Sequence, residues 1–522
     1  MRLISIATLA CLAQGASAQD LGFHEVGFSE PLRLARLRRA MPAVDSIMRR
    51  FTEQQHIPGA AWGVVVDGKV MHLGVTGFRH VETRSPVDSN TVFRIASMTK
   101  SFTALAIVKL RDDGKLSLDD PAEKYVPEMR SLKYPTTDSP RITIRHLLSH
   151  AEGFPEDNPW GDQQLARSEA ELTRMIAGGI PFSNTPGVAY EYSNYGFAIL
   201  GRIVTRASGM PYNEYITANI LRPLGMRSTT FSPTAVAPNR LAHGYRWEDE
   251  RWKEEPQLPD GSFGAMGGML TSISDLSTWV SAFLGAWPPR DGAETGPVKR
   301  ASLREMQQVW RPAPTTAGRD AAGNLRLNAG GYAYGLRVST NCLFAHIVAH
   351  SGGLPGFGSQ MRWLPDYGVG IIAFGNRTYS GWGAPIDAAL EVFARAGALE
   401  PRMAEASPAL NAAREQVTRL VMKWDAGLAQ SLAADNLFLD RSADRRSAEI
   451  AAHLERVGSC KAPAGFAYVE NALRGQWILE CERGNLLVSI TLAPTMPPTV
   501  QYLEVTRAPA GGAAALRPKT CS

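Results

Sequence analysis

Long apolar runs are missing from most of this 522-residue chain. After the first dozen residues, no stretch reaches the roughly 18 apolar residues that a membrane helix needs. A long basic run is also missing, and a formal net charge of +5 is small for this length, which argues against nucleic-acid binding. The sequence shows no internal repeats. Its composition, 44% hydrophobic and 20% charged, is that of a soluble globular protein with two to four domain-sized units, or one large enzyme domain with an appendage.

The N-terminus predicts a secretory signal peptide over residues 1–18. Arg2 supplies a positive charge, residues 3–12 form a short and mostly apolar stretch, and Ala16-Ser17-Ala18 is a small-x-small cleavage site. We therefore expect a mature protein in the periplasm or outside the cell. A lipoprotein is the alternative, although Thr8 stands where its cleavage signal wants leucine.

Cysteine is scarce, and the predicted export changes how the few cysteines are interpreted. Cys342, Cys460, Cys481 and Cys521 remain after cleavage, an even number in an oxidising compartment. Four cysteines permit three pairings. We favour Cys460 with Cys481, because both lie in one small C-terminal region, and Cys342 with Cys521 would then tie the tail to the main body. Buried free thiols are the alternative, and the spacing does not match a zinc site.

The order of predicted elements suggests a sheet interrupted by a helical insertion. Asp67-Gly68 between valine-rich runs is a hairpin signal, and a buried helix is expected from near Ser97 to Gly114. Further helices are predicted at 195–208, 212–221 and 275–284, the last capped by Ser274, and strands at 332–338, 342–349, 360–364 and 369–374, with a turn at 365–368. The fold class is thus α/β (α+β), with one antiparallel sheet closed by both ends of residues 19–398.

A second unit is predicted after residues 398–410, where Pro401 and Pro408 interrupt the helical pattern. Helices are expected at 412–432 and 446–457, and strands at 476–482, 486–492 and 500–505. Two helices followed by a meander make residues 410–522 a small α+β domain, which weakly resembles cystatin-like folds of the nuclear-transport-factor type.

The chemistry is expected to begin at Ser97. A serine hydroxyl is a poor nucleophile until a base takes its proton, and residues i and i+3 share a face at the start of a helix. Lys100 can therefore reach the Ser97 hydroxyl, and burial would lower its pKa enough for it to act as that base. Alone, Ser-x-x-Lys is a weak signal, because chance places one or two such motifs in a chain this long.

Two further motifs strengthen this interpretation. Tyr192 and Asn194 straddle one residue, so in an extended loop their side chains point the same way. The phenol could share protons with the serine and the leaving group, and the amide could hold the lysine and a substrate carbonyl. The stretch from His350 to Gly353 ends a predicted strand, and its small residues would let a substrate backbone lie against the strand edge.

These motifs, in this order, resemble the serine β-lactamase and penicillin-binding-protein superfamily. The second motif matches the Tyr-x-Asn form of class C β-lactamases, and the resemblance extends over about residues 40–395. It implies a β-lactamase/transpeptidase-like antiparallel sheet flanked by helices, with a helical lobe and the active site between lobe and sheet. Further matches are Leu147-Leu148-Ser149-His150, Leu221-Arg222-Pro223-Leu224-Gly225-Met226 and Gly267-Gly268-Met269-Leu270-Thr271-Ser272.

The resemblance also implies a role for each residue. Ser97 would form an acyl-enzyme, with Lys100 and Tyr192 sharing the work of general base and then general acid. The backbone N–H groups of Ser97 and Gly353 would form the oxyanion hole. Substrate would be bound by Asn194, His350, Ser351 and Gly352.

His350 is the departure from the family pattern. Penicillin-binding proteins and most β-lactamases carry lysine there, in a Lys-Thr-Gly triplet whose permanent cation helps to hold a substrate carboxylate. Histidine is mostly neutral at pH 7. A His-x-Gly triplet is similar to that of D-aminopeptidases and esterases of the family. We therefore expect an exported serine hydrolase that cleaves esters or small peptide amides, with a β-lactamase or D-alanyl-D-alanine carboxypeptidase as the alternative.

Other interpretations are weaker. His146 with His150, and His346 with His350, have four-residue spacing, but neither pair has the glutamate of a zinc-protease motif, and the serine machinery needs no metal and no cofactor. His150 is expected to be a structural hydrogen-bonding residue. A binding or regulatory protein of the same fold is the alternative from another class. Small-molecule esters, amides or peptides are the expected partners, without nucleic acid, and the oligomeric state stays open.

Overall fold

The structure, a computed structural model, describes residues 27–28, 30–158, 160–319, 323 and 325–516. The predicted signal peptide and Cys521 lie outside the described residues, so the signal and the pairing of Cys342 with Cys521 stay predictions. The chain divides into two compact units between Arg402 and Met403. We propose that these units are the two domains expected from the sequence. No helix of the described residues is long and apolar enough to cross a membrane.

The first unit, Phe28–Arg402, contains ten α-helices and thirteen β-strands in the residues described. The helices are α1 (Arg33–Gln54), α2 (Thr99–Asp112), α3 (Ile144–Leu148), α4 (Glu169–Ala177), α5 (Asn194–Ser208), α6 (Tyr212–Ile216), α7 (Gly264–Gly267), α8 (Ile273–Leu284), α9 (Arg300–Glu305) and α10 (Gly383–Arg395). The strands are β1 (Gly59–Val66), β2 (Lys69–His80), β3 (Ser85–Pro86), β4 (Val92–Arg94), β5 (Gly244–Glu248), β6 (Arg251–Glu255), β7 (Leu270–Ser272), β8 (Arg311–Arg319), β9 (Leu325–Tyr332), β10 (Arg337–Asn341), β11 (Ile347–Leu354), β12 (Phe357–Leu364) and β13 (Val369–Gly375).

Nine of these strands form one antiparallel sheet in the order β3-β2-β1-β13-β12-β11-β10-β9-β8. Strand β1 pairs with β13, from Ala60 opposite Gly375 to Val66 opposite Val369, so strands from the two ends of the unit are neighbours within the sheet. This confirms the predicted fold class and the closure of the sheet by both chain ends. The turn at Asp67-Gly68 joins β1 to β2, as predicted.

The interior strand β1 is buried on both faces, because its side chains alternate between two apolar cores. Trp62 and Val64 face the core formed with α1 and α10. Ala61 and Val65 face the larger core formed with α2, α5 and α8. The sheet is therefore a middle layer, and the turn at 96–98, which leads into α2, lies against β11.

Three sequence predictions in this unit are wrong in detail. The expected strand 332–338 is interrupted by a turn at 333–336, where Gly335 has a φ of 66°. The expected strand 342–349 begins only at Ile347, because the Asn341 side chain accepts the N–H groups of Leu343 and Phe344 and forms a turn. Ser272, rather than Ser274, caps α8.

The helix expected at 212–221 is present. It consists of α6 followed by one π-helical turn, Thr217–Leu221.

The second unit, from Met403, contains three helices and five short strands among its described residues. They are α11 (Pro408–Met422), α12 (Ala426–Leu432), α13 (Ala443–Val457), β14 (Cys460–Lys461), β15 (Tyr468–Asn471), β16 (Arg474–Cys481), β17 (Leu486–Leu492) and β18 (Val500–Arg507). The meander β16-β17-β18 is antiparallel, as predicted. A single helix over 412–432 is wrong, because Lys423 is extended and Asp425 caps a new helix.

A disulfide joins Cys460 to Cys481, which face each other across β14 and β16. This confirms the pairing favoured from the sequence. The likeness of this unit to cystatin-like folds stays a prediction.

Candidate active site

Ser97 lies in a tight 3-10 turn, Ala96–Met98, immediately before α2. The turn begins with Ala96 at a φ of 47°, a left-handed conformation that is uncommon for a residue with a side chain. The Thr99 hydroxyl donates to the Ala96 carbonyl oxygen at 2.7 Å and accepts the Met269 N–H at 3.2 Å. These bonds hold the strained turn, which leaves the Ser97 side chain 8% exposed at the start of the helix.

Lys100 is fully buried one turn further along α2. Its Nζ lies 3.1 Å from Ser97 Oγ, 2.6 Å from Asn194 Oδ1 and 2.8 Å from the Met266 carbonyl oxygen. Burial lowers the pKa of Lys100 to about 7, against an opposing effect of Asp162 and Asp157. A large fraction of this amine is therefore neutral near pH 7.

The partners of Lys100 fix the orientation of the neutral amine. The Asn194 and Met266 oxygens can only accept hydrogen bonds, so they take the two N–H groups of the neutral form. The remaining lone pair then faces the Ser97 hydroxyl, which can donate its proton to Nζ. The amine is thus held in the arrangement that a general base needs before substrate arrives.

Tyr192 packs against the same lysine, with Nζ 4.9 Å from the centre of its ring. Burial raises the pKa of Tyr192, while a hydrogen bond with Ser97 acts in the opposite direction. The phenol is consequently protonated at neutral pH. It can donate to Ser97 Oγ or to a group that leaves from it.

Asn194 is the first residue of α5, and its side chain is fully buried. Its Nδ2 donates to Asn158 Oδ1 at 2.6 Å, which leaves Oδ1 for Lys100. Asp157 accepts the backbone N–H groups of Asn194 and Tyr195 at 2.7 and 2.8 Å. Because a carboxylate is favourable at a helix N-terminus, Asp157 fixes the start of α5 and with it the position of Asn194.

His350, on β11, is buried and has a partner at each ring nitrogen. Nδ1 lies 2.6 Å from the Ser351 carbonyl oxygen, so it must donate, and Nε2 accepts from the Tyr332 hydroxyl at 2.8 Å. Burial, together with the charges of Arg337 and Lys100, lowers the pKa of His350 to about 3. The imidazole is therefore neutral at pH 7 and does not replace the lysine cation of a Lys-Thr-Gly triplet.

The residues after His350 line the edge of β11 beside the Ser97 turn. Ser351 is exposed, and Gly352 and Gly353 are half-buried. A Cβ on Gly352 would lie 2.2 Å from the Ile95 carbonyl oxygen, and one on Gly353 would lie 2.7 Å from the Tyr379 ring. Glycine at 352 lets the strand approach the Ser97 turn, and glycine at 353 leaves room for the Tyr379 ring.

A profile of the family described as Beta-lactamase matches residues 44–396, more than half of the chain. The chain belongs to the beta-lactamase family. This is a family of serine hydrolases, and the matched region contains every residue of the site described above. The membership confirms the superfamily that the sequence motifs indicate.

Relatives of this beta-lactamase-family chain include two curated bacterial proteins. Protein flp of Staphylococcus aureus (strain MW2) is 32% identical over 338 residues, which cover 64% of this chain and 62% of that protein. Penicillin-binding protein 4* of Bacillus subtilis (strain 168) is 26% identical over 330 residues, which cover 59% of this chain and 66% of the relative. The chain thus spans less than two thirds of the length of either relative.

A solved structure shares the fold. The octameric penicillin-binding protein homologue from Pyrococcus abyssi superposes with a TM-score of 0.58 at 22% identity, over 90% of this chain and 98% of that one. At this identity the similarity supports the beta-lactamase-family fold alone. It agrees with the nine-stranded sheet and its flanking helices.

Arg337 was not singled out from the sequence, yet it lies beside the site in this beta-lactamase-family fold. It is exposed on β10, and its guanidinium carbon is 5.7, 5.7 and 5.8 Å from the ring centres of Tyr190, Tyr192 and Tyr332. No ion pair to it forms within the residues that the structure describes. A permanent cation without a carboxylate partner therefore stands one strand away from His350.

Other residues that the sequence singled out have supporting positions. His150 is fully buried, and its Nδ1 accepts the Ser193 N–H at 3.1 Å, which agrees with its expected structural role. Tyr195 stacks on Phe263. Trp160, for which cleft lining and plain packing were equally expected, is 46% exposed and packs edge-on against Tyr195 and Phe263.

Sequence reasoning missed four contributors to the site. They are the Met266 carbonyl, Asp157, Tyr332 and Arg337. The Met266 carbonyl carries no side-chain signal, although the glycines at 267–268 mark a close approach of backbone. The expected strand 332–338 concealed that Tyr332 and Arg337 lie on two strands joined by a turn.

Proposed function

We propose that this protein is an exported serine hydrolase that forms an acyl-enzyme on Ser97 and cleaves esters or small peptide amides. The observation that carries the proposal is the buried amine of Lys100, 3.1 Å from Ser97 Oγ, with its two N–H groups directed to obligate acceptors. Burial of an amine opposes folding, so a buried lysine with a lowered pKa is typical of a functional site.

The proposed reaction begins when neutral Lys100 takes the Ser97 proton and Oγ attacks the substrate carbonyl. The N–H groups of Ser97 and Gly353 hold the resulting oxyanion. Lys100, now protonated, and the Tyr192 phenol return a proton to the leaving alcohol or amine, and the bond to the leaving group breaks. Water then attacks the acyl-enzyme by the same route and releases the acid product.

The neutral His350 supports esters and small amides, including amides of D-amino acids, ahead of β-lactams. Both of its ring nitrogens are occupied by protein partners, so it contributes no cation and no free donor to a substrate carboxylate. Its direct contribution in this proposal is to fix Ser351 and the strand edge along which Ser351 and Gly352 bind substrate backbone.

A β-lactamase or D-alanyl-D-alanine carboxypeptidase is the second candidate, and Arg337 favours it. Its guanidinium lies against Tyr192 and could hold the carboxylate that such substrates carry. The name of the Bacillus subtilis relative, a penicillin-binding protein, points the same way. A non-catalytic binding protein is disfavoured, since Ser97, Lys100 and Tyr192 all retain functional groups in contact.

Export is part of the proposal. The disulfide between Cys460 and Cys481 is typical of an oxidising compartment such as the periplasm or the cell exterior. The predicted signal peptide at 1–18 agrees with it. Mass spectrometry of the mature protein from its native host would show the cleavage site.

The nucleophile is tested with a phosphonate diester that carries a fluorescent group. Attack by Ser97 Oγ forms an O–P bond and expels the phenol, so labelling adds a defined mass at Ser97. We expect wild type to be labelled and Ser97→Ala to remain unlabelled. Equal labelling of the two proteins would overturn the assignment of Ser97, and an unlabelled wild type would favour the non-catalytic alternative.

Substrate class is then tested with p-nitrophenyl esters, D-amino-acid amides and nitrocefin. We expect turnover of esters or amides to exceed that of nitrocefin by at least about tenfold. The matched variant is Arg337→Gln, which should lower kcat/KM selectively for substrates with a carboxylate. Nitrocefin turnover equal to ester turnover would reverse the order of the two candidates.

A further inference from the structure

Asp162 is a buried carboxylate near Lys100 that the proposed reaction does not use. Asp162 is only 3% exposed. Among the charges that raise the pKa of Lys100, that of Asp162 has the largest effect. One oxygen, Oδ2, accepts from the Tyr379 hydroxyl at 3.0 Å. The other oxygen, Oδ1, accepts no hydrogen bond from the described residues. It is also not one of their fully buried polar atoms that lack a hydrogen-bond partner.

The neighbours of Asp162 place it beside the reacting centre. The preceding Gly161 packs so closely on Asn194 that a Cβ there would lie 2.7 Å from the Asn194 Cβ. Tyr379, the partner of Asp162, packs on Gly353, the proposed oxyanion-hole residue. Asp162 therefore stands between the residue that holds Lys100 and the strand that holds the oxyanion.

A comparison with Asp157 shows that Asp162 has one carboxylate oxygen, Oδ1, available to accept a hydrogen bond. Both oxygens of Asp157 are taken by backbone N–H groups of α5, so that carboxylate is structural. Asp162 has one phenol as a partner and no cation in an ion pair within the described part of the chain. A buried carboxylate is normally paired or hydrogen-bonded at both oxygens, so an unpartnered oxygen beside the residues of the site suggests a ligand.

We propose that Asp162 binds the ammonium group of the substrate, and that the group lies on the carbon next to the attacked carbonyl. The preferred substrates are then amides or esters of amino acids with a free amino group. This inference rests on the proposed function, since it needs Ser97 to attack a carbonyl at this site.

The charges around the strand edge agree with such a substrate. Arg337 contacts the tyrosines beside His350, at one end of the triplet, and Asp162 reaches Gly353 through Tyr379 at the other. Three residues of strand span about 10 Å, which is close to the length of a small peptide with both termini charged. The site thus offers the Asp162 carboxylate near the proposed oxyanion hole and the Arg337 guanidinium further along the strand edge.

The test uses two phosphonates that differ only at the amine. One is diphenyl 1-aminoethylphosphonate and the other is its N-acetyl derivative, and intact-mass spectrometry gives the second-order rate constant for labelling of Ser97 by each. We expect wild type to favour the free amine by about 10- to 100-fold, the effect expected when one partner of a close charge pair is removed. In Asp162→Asn, the ratio should fall to near 1.

The ratio isolates the proposed contact. Loss of the Asp162 charge also changes the pKa of Lys100, but this affects both phosphonates equally and cancels. Glu156→Gln is the matched control, because it removes a nearby carboxylate of the same loop that is exposed, and it should keep the wild-type ratio.

Each outcome decides the matter. A wild type that labels equally with both compounds would overturn the inference even if Asp162→Asn fails to fold, and so would an unchanged ratio in a folded Asp162→Asn. In both cases labelling of Ser97 would leave the proposed function standing. Failure of both compounds to label wild type at Ser97 would overturn the proposed function, and this inference with it.

Discussion

The two units of this chain bury different kinds of side chains. The interior of the first contains Lys100, Glu152, Asp162 and His350, four titratable groups that are at most 3% exposed. In the described part of the second, the core consists of apolar residues of α11, α13 and the meander, and Arg446 is its single buried charged residue. That arginine donates to the Leu437 and Leu503 carbonyl oxygens and to Asp440.

The difference separates stability from chemistry. Buried charges oppose folding unless they are paired or neutralised, and their cost is tolerated where a shifted pKa is useful. In the first unit, burial lowers the pKa of Lys100 to about 7 and that of His350 to about 3. The described core of the second unit contains no buried lysine or histidine with a shifted pKa. Its buried residues are mostly apolar and pack against one another.

Replacement of Lys100 is the change expected to have the largest effect on activity. Lys100→Met should lower kcat/KM by about 10³- to 10⁴-fold, because the general base is lost. The free energy of unfolding should change by less than about 1 kcal/mol, since relief from burying the amine offsets the two carbonyl acceptors left unpaired. Enzyme assays and urea denaturation measure the two effects.

Lys100→Arg is the control for charge. It keeps a cation at the site, but a guanidinium cannot accept a proton at neutral pH, so it should be as inactive as Lys100→Met. More than a tenth of wild-type activity in the arginine variant would mean that Lys100 acts through its charge.

The opposite behaviour is expected in the second unit. Trp477 is fully buried on β16, so Trp477→Ala should lower the free energy of unfolding by about 3–5 kcal/mol through lost burial and a residual cavity. The exposed Tyr502 of β18 gives the control Tyr502→Ala, expected within about 1 kcal/mol of wild type. Similar costs for the two variants would contradict a tightly packed core in this unit.

The pH dependence of stability sharpens the comparison at His350. Burial lowers its pKa from about 6.5 in the unfolded chain to about 3, so between these values the unfolded state binds the extra proton. Stability should therefore fall as pH drops through this window, by up to about 3 kcal/mol at pH 4. Thermal unfolding of wild type and His350→Asn from pH 7 to 4 should show the steeper loss in wild type, and parallel curves would speak against a neutral buried imidazole.

Gly352→Ala should lower the free energy of unfolding by about 1–3 kcal/mol, because its Cβ would overlap the Ile95 carbonyl oxygen. Activity should fall at least about tenfold, since the Ser97 turn must move. Gly318→Ala is the control on exposed β8, where a Cβ meets nothing within 4 Å. An active Gly352→Ala enzyme would show that close contact of the strand with the turn is unnecessary.

Local patterns in the sequence predicted much of the fold and of the site. The hairpin at Asp67-Gly68, the strand at 369–374 and the pairing of Cys460 with Cys481 depend on neighbouring residues or on one small region. Ser97, Lys100, Tyr192 and Asn194 were found through motifs of short spacing, and the structure brings all four together.

What the sequence could not predict depends on distant contacts. Asp162 and Tyr379 are far apart in the chain, and neither belongs to a motif. Residues 333–336 have the pattern of a strand, which Gly335 alone interrupts, whereas the structure shows that a Cβ at Gly335 would lie 2.5 Å from the Lys100 carbonyl oxygen. Packing against α2, rather than local preference, decides the conformation there.

The pH profile of Ser97 labelling tests most directly the claim that Lys100 is a neutral base. A phosphonate without an amino group should be used, so that no group of the probe titrates in the same pH range. The rate constant should rise as Lys100 loses its proton, with an apparent pKa of about 7, and level off above pH 8. A rate that is flat from pH 5 to 10, or that rises only towards the ordinary lysine value of about 10.4, would contradict the account.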